Sequence, residues 1–158
     1  MIETLTPLSL AMSYHKALPE RILNYLINER GISHREIEFS LLGWNGKRIT
    51  IPVWDRDGKL KFFKLAKDPA DTTEGPKMLT PAGASAELYA WDRVRLKPFE
   101  LIICEGEFDR LVLESRGFAA VTSTGGALTF RPTFGGARSS HFLSSRTTVH
   151  SMWTSMPR

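Results

Sequence analysis

The chain has 158 residues, 42% hydrophobic and 24% charged, with four tryptophans. A chain of that size buries about 70% of its unfolded surface, which suits one globular domain or two small ones. Its single cysteine, Cys104, excludes an intrachain disulfide and a cysteine-rich zinc site. The net charge of +4 is lopsided: residues 1–114 carry 16 Lys/Arg against 17 Asp/Glu, and residues 115–158 carry five Arg and no acid. The basic balance is therefore not that of a nucleic-acid-binding body. No apolar run approaches a membrane span, and no basic segment precedes an apolar core as in a secretory signal, so a cytoplasmic protein is expected.

Residues 1–18 are weakly patterned and read as a loose arm. A helix is expected from Pro19-Glu20, with Ile22, Leu23, Leu26 and Ile27 as its apolar stripe and Gly31 as its stop. Ser33 and Glu36 have capping-box spacing, so a second short helix should carry Ile37 toward Leu42. His34 reads as an exposed first-turn residue. The runs Arg48–Val53 and Lys59–Leu65 alternate apolar and polar residues around Asp55-Arg56-Asp57-Gly58, which predicts a hairpin. Pro52 should put its strand at a sheet edge. An Asp-x-Asp pair also suits a metal, but the following glycine and flanking strands favour a turn. Residues 66–85 read as a long surface loop, with Lys64, Lys67 and Lys77 at its ends. Ala86–Arg95 reads as a helix.

The remainder centres on Leu101 to Gly126. The apolar run Leu101–Cys104 predicts a strand buried on both faces, ending at Glu105-Gly106-Glu107 with Asp109 beyond. A helix follows, with Phe108, Leu111 and Val112 as its apolar positions and Gly117 as a left-handed stop. Phe118–Thr122 predicts a second buried strand, leading into a Ser/Thr/Gly turn that includes Gly125. Together these form a right-handed βαβ unit, in which ligands gather beyond the carboxyl ends of the strands. Glu105 and Asp109, one helical turn apart, could point oxygens into one volume and share a Mg2+ or Mn2+ ion. Gly106 would let the backbone turn sharply and admit a phosphate. The same residues also suit a solvated turn, with Glu107 and Asp109 favouring the helix N-terminus. Cys104 reads as packing rather than nucleophile.

Cys104-Glu105-Gly106-Glu107-Phe108-Asp109, the helix, Gly117–Thr122 and Gly125-Gly126-Ala127 together resemble the first half of a Toprim domain. That fold is shared by bacterial-type primases, type IA and II topoisomerases and some nucleases. The upstream segments Tyr14-His15-Lys16, Leu18-Pro19, Glu29–Ser33, Arg48-Ile49, Ile51-Pro52, Asp57-Gly58, Pro76-Lys77 and Leu88-Tyr89 resemble the RNA-polymerase core of bacterial-type DNA primases. The similarity runs from about residue 12 to about residue 130 in the family's order.

The resemblance implies an α/β protein. Its parts would be an arm (1–12), a small α+β front lobe (13–97), a partial Toprim unit (98–130) and an irregular basic tail (131–158). It implies template-directed synthesis of short RNA primers by metal-dependent nucleotidyl transfer, with Glu105 and Asp109 as catalytic and metal-binding acids. Lys64, Lys67, Lys77, Gly106 and Gly125 would contact nucleic-acid or nucleotide phosphates. Single-stranded DNA, nucleoside triphosphates and a replicative helicase are the implied partners, in a phage or mobile-element setting.

Two departures stand out. The family's cysteine- and histidine-bearing zinc module has no counterpart. No carboxylate side chain follows Glu114, where the family carries a strand ending in Asp-x-Asp. Residues 131–158 resemble a truncated or frameshifted ending, so the chain is expected to be inactive or weakly active alone. A Toprim nuclease and a non-catalytic nucleic-acid-binding remnant are the alternative readings.

Overall fold

The protein's structure is a computed structural model that describes residues 6–125. The tail at 131–158, Gly126 and Ala127 lie outside the described residues. The first difference from expectation comes at the start of the chain. Residues Pro7–Lys16 form a helix, α1, capped by the Thr6 hydroxyl, which accepts from the Ser9 N–H. Thr6-Pro7 is a helix-start signal, but the following residues give no apolar stripe, and Ala11 is the helix's buried residue.

The helix from Pro19 starts as α2 (Glu20–Asn24) and widens into one π-helical turn (Tyr25–Glu29), with the Arg30 N–H bonded to the Tyr25 carbonyl. Ile22 and Leu26 are fully buried, and Gly31 ends the segment at φ +74°. Helix α3 (His34–Phe39) begins at Ser33, whose hydroxyl accepts the Glu36 N–H. The Glu36 carboxylate does not return the capping bond. It is buried and receives Arg110 at 2.9 Å and the Ser40 hydroxyl at 2.6 Å.

An antiparallel sheet has the order β1 (Gly43–Trp44), β2 (Arg48–Trp54), β3 (Leu60–Lys67) and β4 (Met78–Leu79). Its central hairpin turns where the sequence predicts. The Asp55 carboxylate accepts the Asp57 and Lys59 N–H groups, so the first acid of the Asp-x-Asp pair is spent on the turn. Contrary to expectation, Pro52 does not put its strand at an edge: β2 lies between β1 and β3, and Pro52 is tolerated because β1 pairs only as far as Thr50, leaving no ladder bond for its missing N–H. The long loop is shorter than expected, because β4 returns to pair with Leu65 and Ala66.

A second sheet has the order β5 (Leu88–Tyr89), β7 (Ala120–Ser123), β6 (Ile102–Cys104). The parallel pair β6 and β7 is linked by α5 (Glu107–Ser115), so the βαβ unit is present. The helix stops at Gly117, φ +86°, as expected. Two expectations fail. Among the described residues strand β6 lies at the edge of the sheet and is only half-buried, whereas β7 is flanked on both sides and buried throughout. Ala86–Arg95 is not one helix: β5 pairs antiparallel with β7, Ala90 takes φ +81°, and only α4 (Trp91–Arg95) is helical.

Of the two hydrophobic clusters among the described residues, one reaches both sheets, and the other packs Leu88, Trp91 and Val121 at the second sheet. Ile22, Leu26, Ile37, Ile49 and Ile51 pack in the same cluster as Tyr89, Leu111 and Val112. Strand β5 precedes the boundary expected at residue 97 yet belongs to the second sheet. Among the described residues, no helix is long and apolar enough to cross a membrane.

Candidate active site

The end of β6 delivers Glu105 to the surface, and the first turn of α5 places Asp109 beside it. Glu105 is exposed and Asp109 half-buried, and among the described residues neither forms an ion pair. Burial holds the Asp109 carboxyl above the usual carboxylate range. The Arg30 charge and a hydrogen bond from the Gly106 N–H oppose that shift, and the neighbouring Glu105 charge adds to it. The two acids therefore feel each other, as carboxylates sharing a small volume must.

Gly106 serves this arrangement differently from the expected sharp turn. Its backbone is extended (φ −125°, ψ 158°), a conformation open to any residue. A Cβ there would sit 3.2 Å from an Asp109 carboxylate oxygen, so the glycine makes room for the acid.

The middle acid goes elsewhere. Glu107 is buried and ion-paired to the Lys64 ammonium at 2.7 Å. The same ammonium donates to the Thr124 carbonyl at 2.6 Å, at the end of β7. Thr124 is pinned again by Glu87, whose carbonyl accepts the Thr124 N–H and whose own N–H donates to the Thr124 hydroxyl, both at 2.9 Å. Lys64, expected at a phosphate, is thus enclosed by protein. In the alternating strand LKFFKLAK it shares a face with Phe62 and the buried Ala66, a signal of its inward direction that was open to sequence inspection.

The other basic residues gather around the loop at 68–77. Lys67 donates to the Thr73 carbonyl and lies 3.8 Å from Asp71, while its N–H bonds to the Lys77 carbonyl at 2.8 Å. The Lys77 side chain is exposed, as is Gly125. Arg48 donates to the Pro76 carbonyl at 3.2 Å. So Glu105, Gly106 and Asp109 meet, while Gly125 follows Thr124, whose carbonyl Lys64 holds. Among the described residues, Lys67 and Lys77 make no contact with the acidic pair. A separate cleft of about 250 Å³, lined by Phe39, Trp54, Tyr89, Trp91 and Arg95, includes neither acid.

The donor set fits a magnesium ion of limited protein ligation. Two carboxylate side chains at an open rim suffice when substrate phosphates and water fill the remaining positions. Among the described residues no group of three or more His, Cys, Asp or Glu is placed to hold a metal, so a cage built from the protein alone is not part of this site.

No protein-family model and no curated protein matches the chain. Solved structures do. The E. coli primase catalytic core aligns with a TM-score of 0.60 at 20% identity, over 76% of this chain and 54% of that one. The fold is primase-like. The Aquifex aeolicus primase, with its zinc-binding and RNA polymerase domains, aligns at 0.61 and 19% identity, over 77% of this chain and 42% of that one. A DnaG primase catalytic domain bound to single-stranded DNA aligns at 0.58 and 20% identity, over 73% and 53%. This chain therefore spans about half the length of the primase structures it resembles.

Proposed function

We propose that this primase-like chain carries the first acidic half of a Toprim-type site for metal-dependent nucleotidyl transfer, directed at primer synthesis on single-stranded DNA. The observation that carries this is the placement of Glu105 and Asp109, without an ion pair among the described residues, side by side at the carboxyl end of β6 in a βαβ unit. Strand ends of parallel units are where α/β folds collect ligands. Glu105 and Asp109 would hold Mg2+ or Mn2+, which when bound supplies charge neutralisation for the phosphates of a nucleoside triphosphate. Glu105, the more exposed acid, is the better placed to accept the proton of an attacking hydroxyl. Asp109, with its raised pKa, orients on the Gly106 N–H and completes the acidic pair. Lys77 and Lys67, on and beside the loop at 68–77, are the candidates for phosphate contact with template or nucleotide.

Two side-chain carboxylates are fewer than a two-metal centre needs, and no acidic residue follows Glu114. The 158 residues alone are accordingly proposed to be inactive or nearly so in primer synthesis. A replicative helicase as partner and a mobile-element setting belong to the same proposal.

The test combines binding with turnover. Mn2+ titrated with a nucleoside triphosphate should bind one site, and Glu105→Gln and Asp109→Asn should each weaken it by about tenfold or more. Primer synthesis on single-stranded DNA should stay at background. Metal binding indifferent to both substitutions would refute the site, and strong Glu105-dependent product would refute the claim of inactivity. A second reading, a non-catalytic nucleic-acid-binding module, is favoured by the absence of a third acid at this site among the described residues. DNA binding that survives Glu105→Gln, with no metal site, would select it.

A further inference from the structure

We propose that Lys64 is the positioning residue of the acidic site. Its ammonium clamps the start of α5 to the end of β7, and by engaging Glu107 it sets the number of carboxylates at the rim to two. This rests on Glu105 and Asp109 being divalent-cation ligands.

Three acids fall within five positions of the turn, and all could have faced the rim. Glu107 does not, because Lys64 reaches across from β3 and takes its carboxylate at 2.7 Å in a buried pair. The second bond, to the Thr124 carbonyl at 2.6 Å, fixes the turn that leads into Gly125. One cation on the antiparallel sheet therefore holds both chain segments that flank Glu105 and Asp109. The Glu87–Thr124 bonds brace that turn from the opposite side, through β5. A lysine offers three N–H donors on a point charge, which suits two acceptors from different elements better than a planar, bidentate pair.

The consequence is a division of labour among the acids. Glu107 neutralises Lys64, so the pair adds no net charge to the rim, where the field is set by Glu105, Asp109 and the nearby Arg30. Supporting contacts of this kind orient first ligands, and their loss weakens metal binding even when the fold survives.

The test uses the full chain and Mn2+ alone, read by the paramagnetic signal of the free ion. Lys64→Met by itself would strand Glu107 and can unfold the protein, so the informative variant is Lys64→Met with Glu107→Met. This apolar pair of similar length can keep the fold. Thermal melting controls for stability, and amide exchange at Arg110 and Thr124, whose N–H groups bond to the Gly106 and Glu87 carbonyls, reports the clamp. The expected result is a melting temperature near that of the parent, Mn2+ affinity lower by about tenfold, and faster exchange at both amides. Lys64→Arg should lie between parent and double variant. A double variant with parental Mn2+ affinity and parental exchange overturns the proposal, as does weakened Mn2+ binding with unchanged exchange. If the parent itself binds no Mn2+, the metal assignment falls. Positioning is then judged by exchange alone, where faster exchange supports the clamp and unchanged exchange overturns it.

Discussion

Cys104 stands next to Glu105, half-buried, with its thiol donating to the Val121 carbonyl at 3.4 Å. Burial and the nearby Asp109 push its pKa up to about 12. Only the thiolate alkylates, and at about pH 8 a thiol so raised is ionised in roughly one molecule in 10⁴. Iodoacetamide should therefore label the native protein at least about 100-fold more slowly than the urea-unfolded chain. Equal rates would mean that the β6 edge opens freely. Asp109 has a pH signature of its own. Its raised pKa means that protons begin to compete with a divalent ion at a higher pH than at an ordinary aspartate. On acidification Mn2+ affinity should begin to fall before an ordinary aspartate would take up a proton, and that early fall should be lost in Asp109→Asn. The same early fall in both proteins would remove Asp109 from the site.

At the scale of elements, α1 is held in an unusual way. A Cβ on Gly43 would collide with the Tyr14 carbonyl carbon and lie 2.6 Å from the His15 nitrogen, both backbone atoms that cannot swing aside. His15 Nδ1 lies 2.7 Å from the Leu42 carbonyl, and Tyr14 meets Phe63 edge-on at 5.3 Å. Gly43→Ala should therefore cost about 3 kcal/mol, read as a lower urea midpoint at unchanged slope. Gly117→Ala, with open space but φ +86°, should cost only about 1 kcal/mol. If the two lose similar amounts, the close approach of α1 to β1 is not what holds the helix.

That contact also explains which elements were legible in the sequence. The hairpin, α5 and the parallel pair β6 and β7 carry local signals (turn residues, an apolar stripe, a stop glycine), and they form where those signals lie. Helix α1 lacks a stripe because a glycine on another element makes its contact. Leu88-Tyr89 has helical spacing, yet the β7 ladder and the Glu87–Thr124 bonds draw it into a strand. Glu105 and Asp109 were legible because five adjacent positions place them. The Lys64–Glu107 pair joins residues far apart in the chain, and only the alternation of β3 hinted at it.

For the molecule as a whole, the question is what keeps the antiparallel sheet and the βαβ unit in one body, since the site draws on both. Arg110, 1% exposed, gives the main polar answer. From α5 it donates to Glu36 on α3 at 2.9 Å, to the Ser40 hydroxyl at 3.3 Å and to the Ala120 carbonyl at 3.4 Å. Its guanidinium lies 4.9 Å from the centre of the Tyr89 ring. Burying such a pair gains little over an apolar one of the same shape, but removing one partner strands the other charge at about 3–5 kcal/mol. Arg110→Met should therefore destabilise by about that amount, and Glu36→Met on the same background should recover most of it. Because the apolar core is continuous across the two sheets, unfolding followed at the tryptophans and by far-ultraviolet dichroism should trace one transition in all three proteins. A loss below about 1 kcal/mol in Arg110→Met would show the guanidinium to be dispensable. Two separate transitions in the parent would show that the front lobe and the βαβ unit fold independently, leaving the Lys64 clamp to align a site between parts that the core does not hold together.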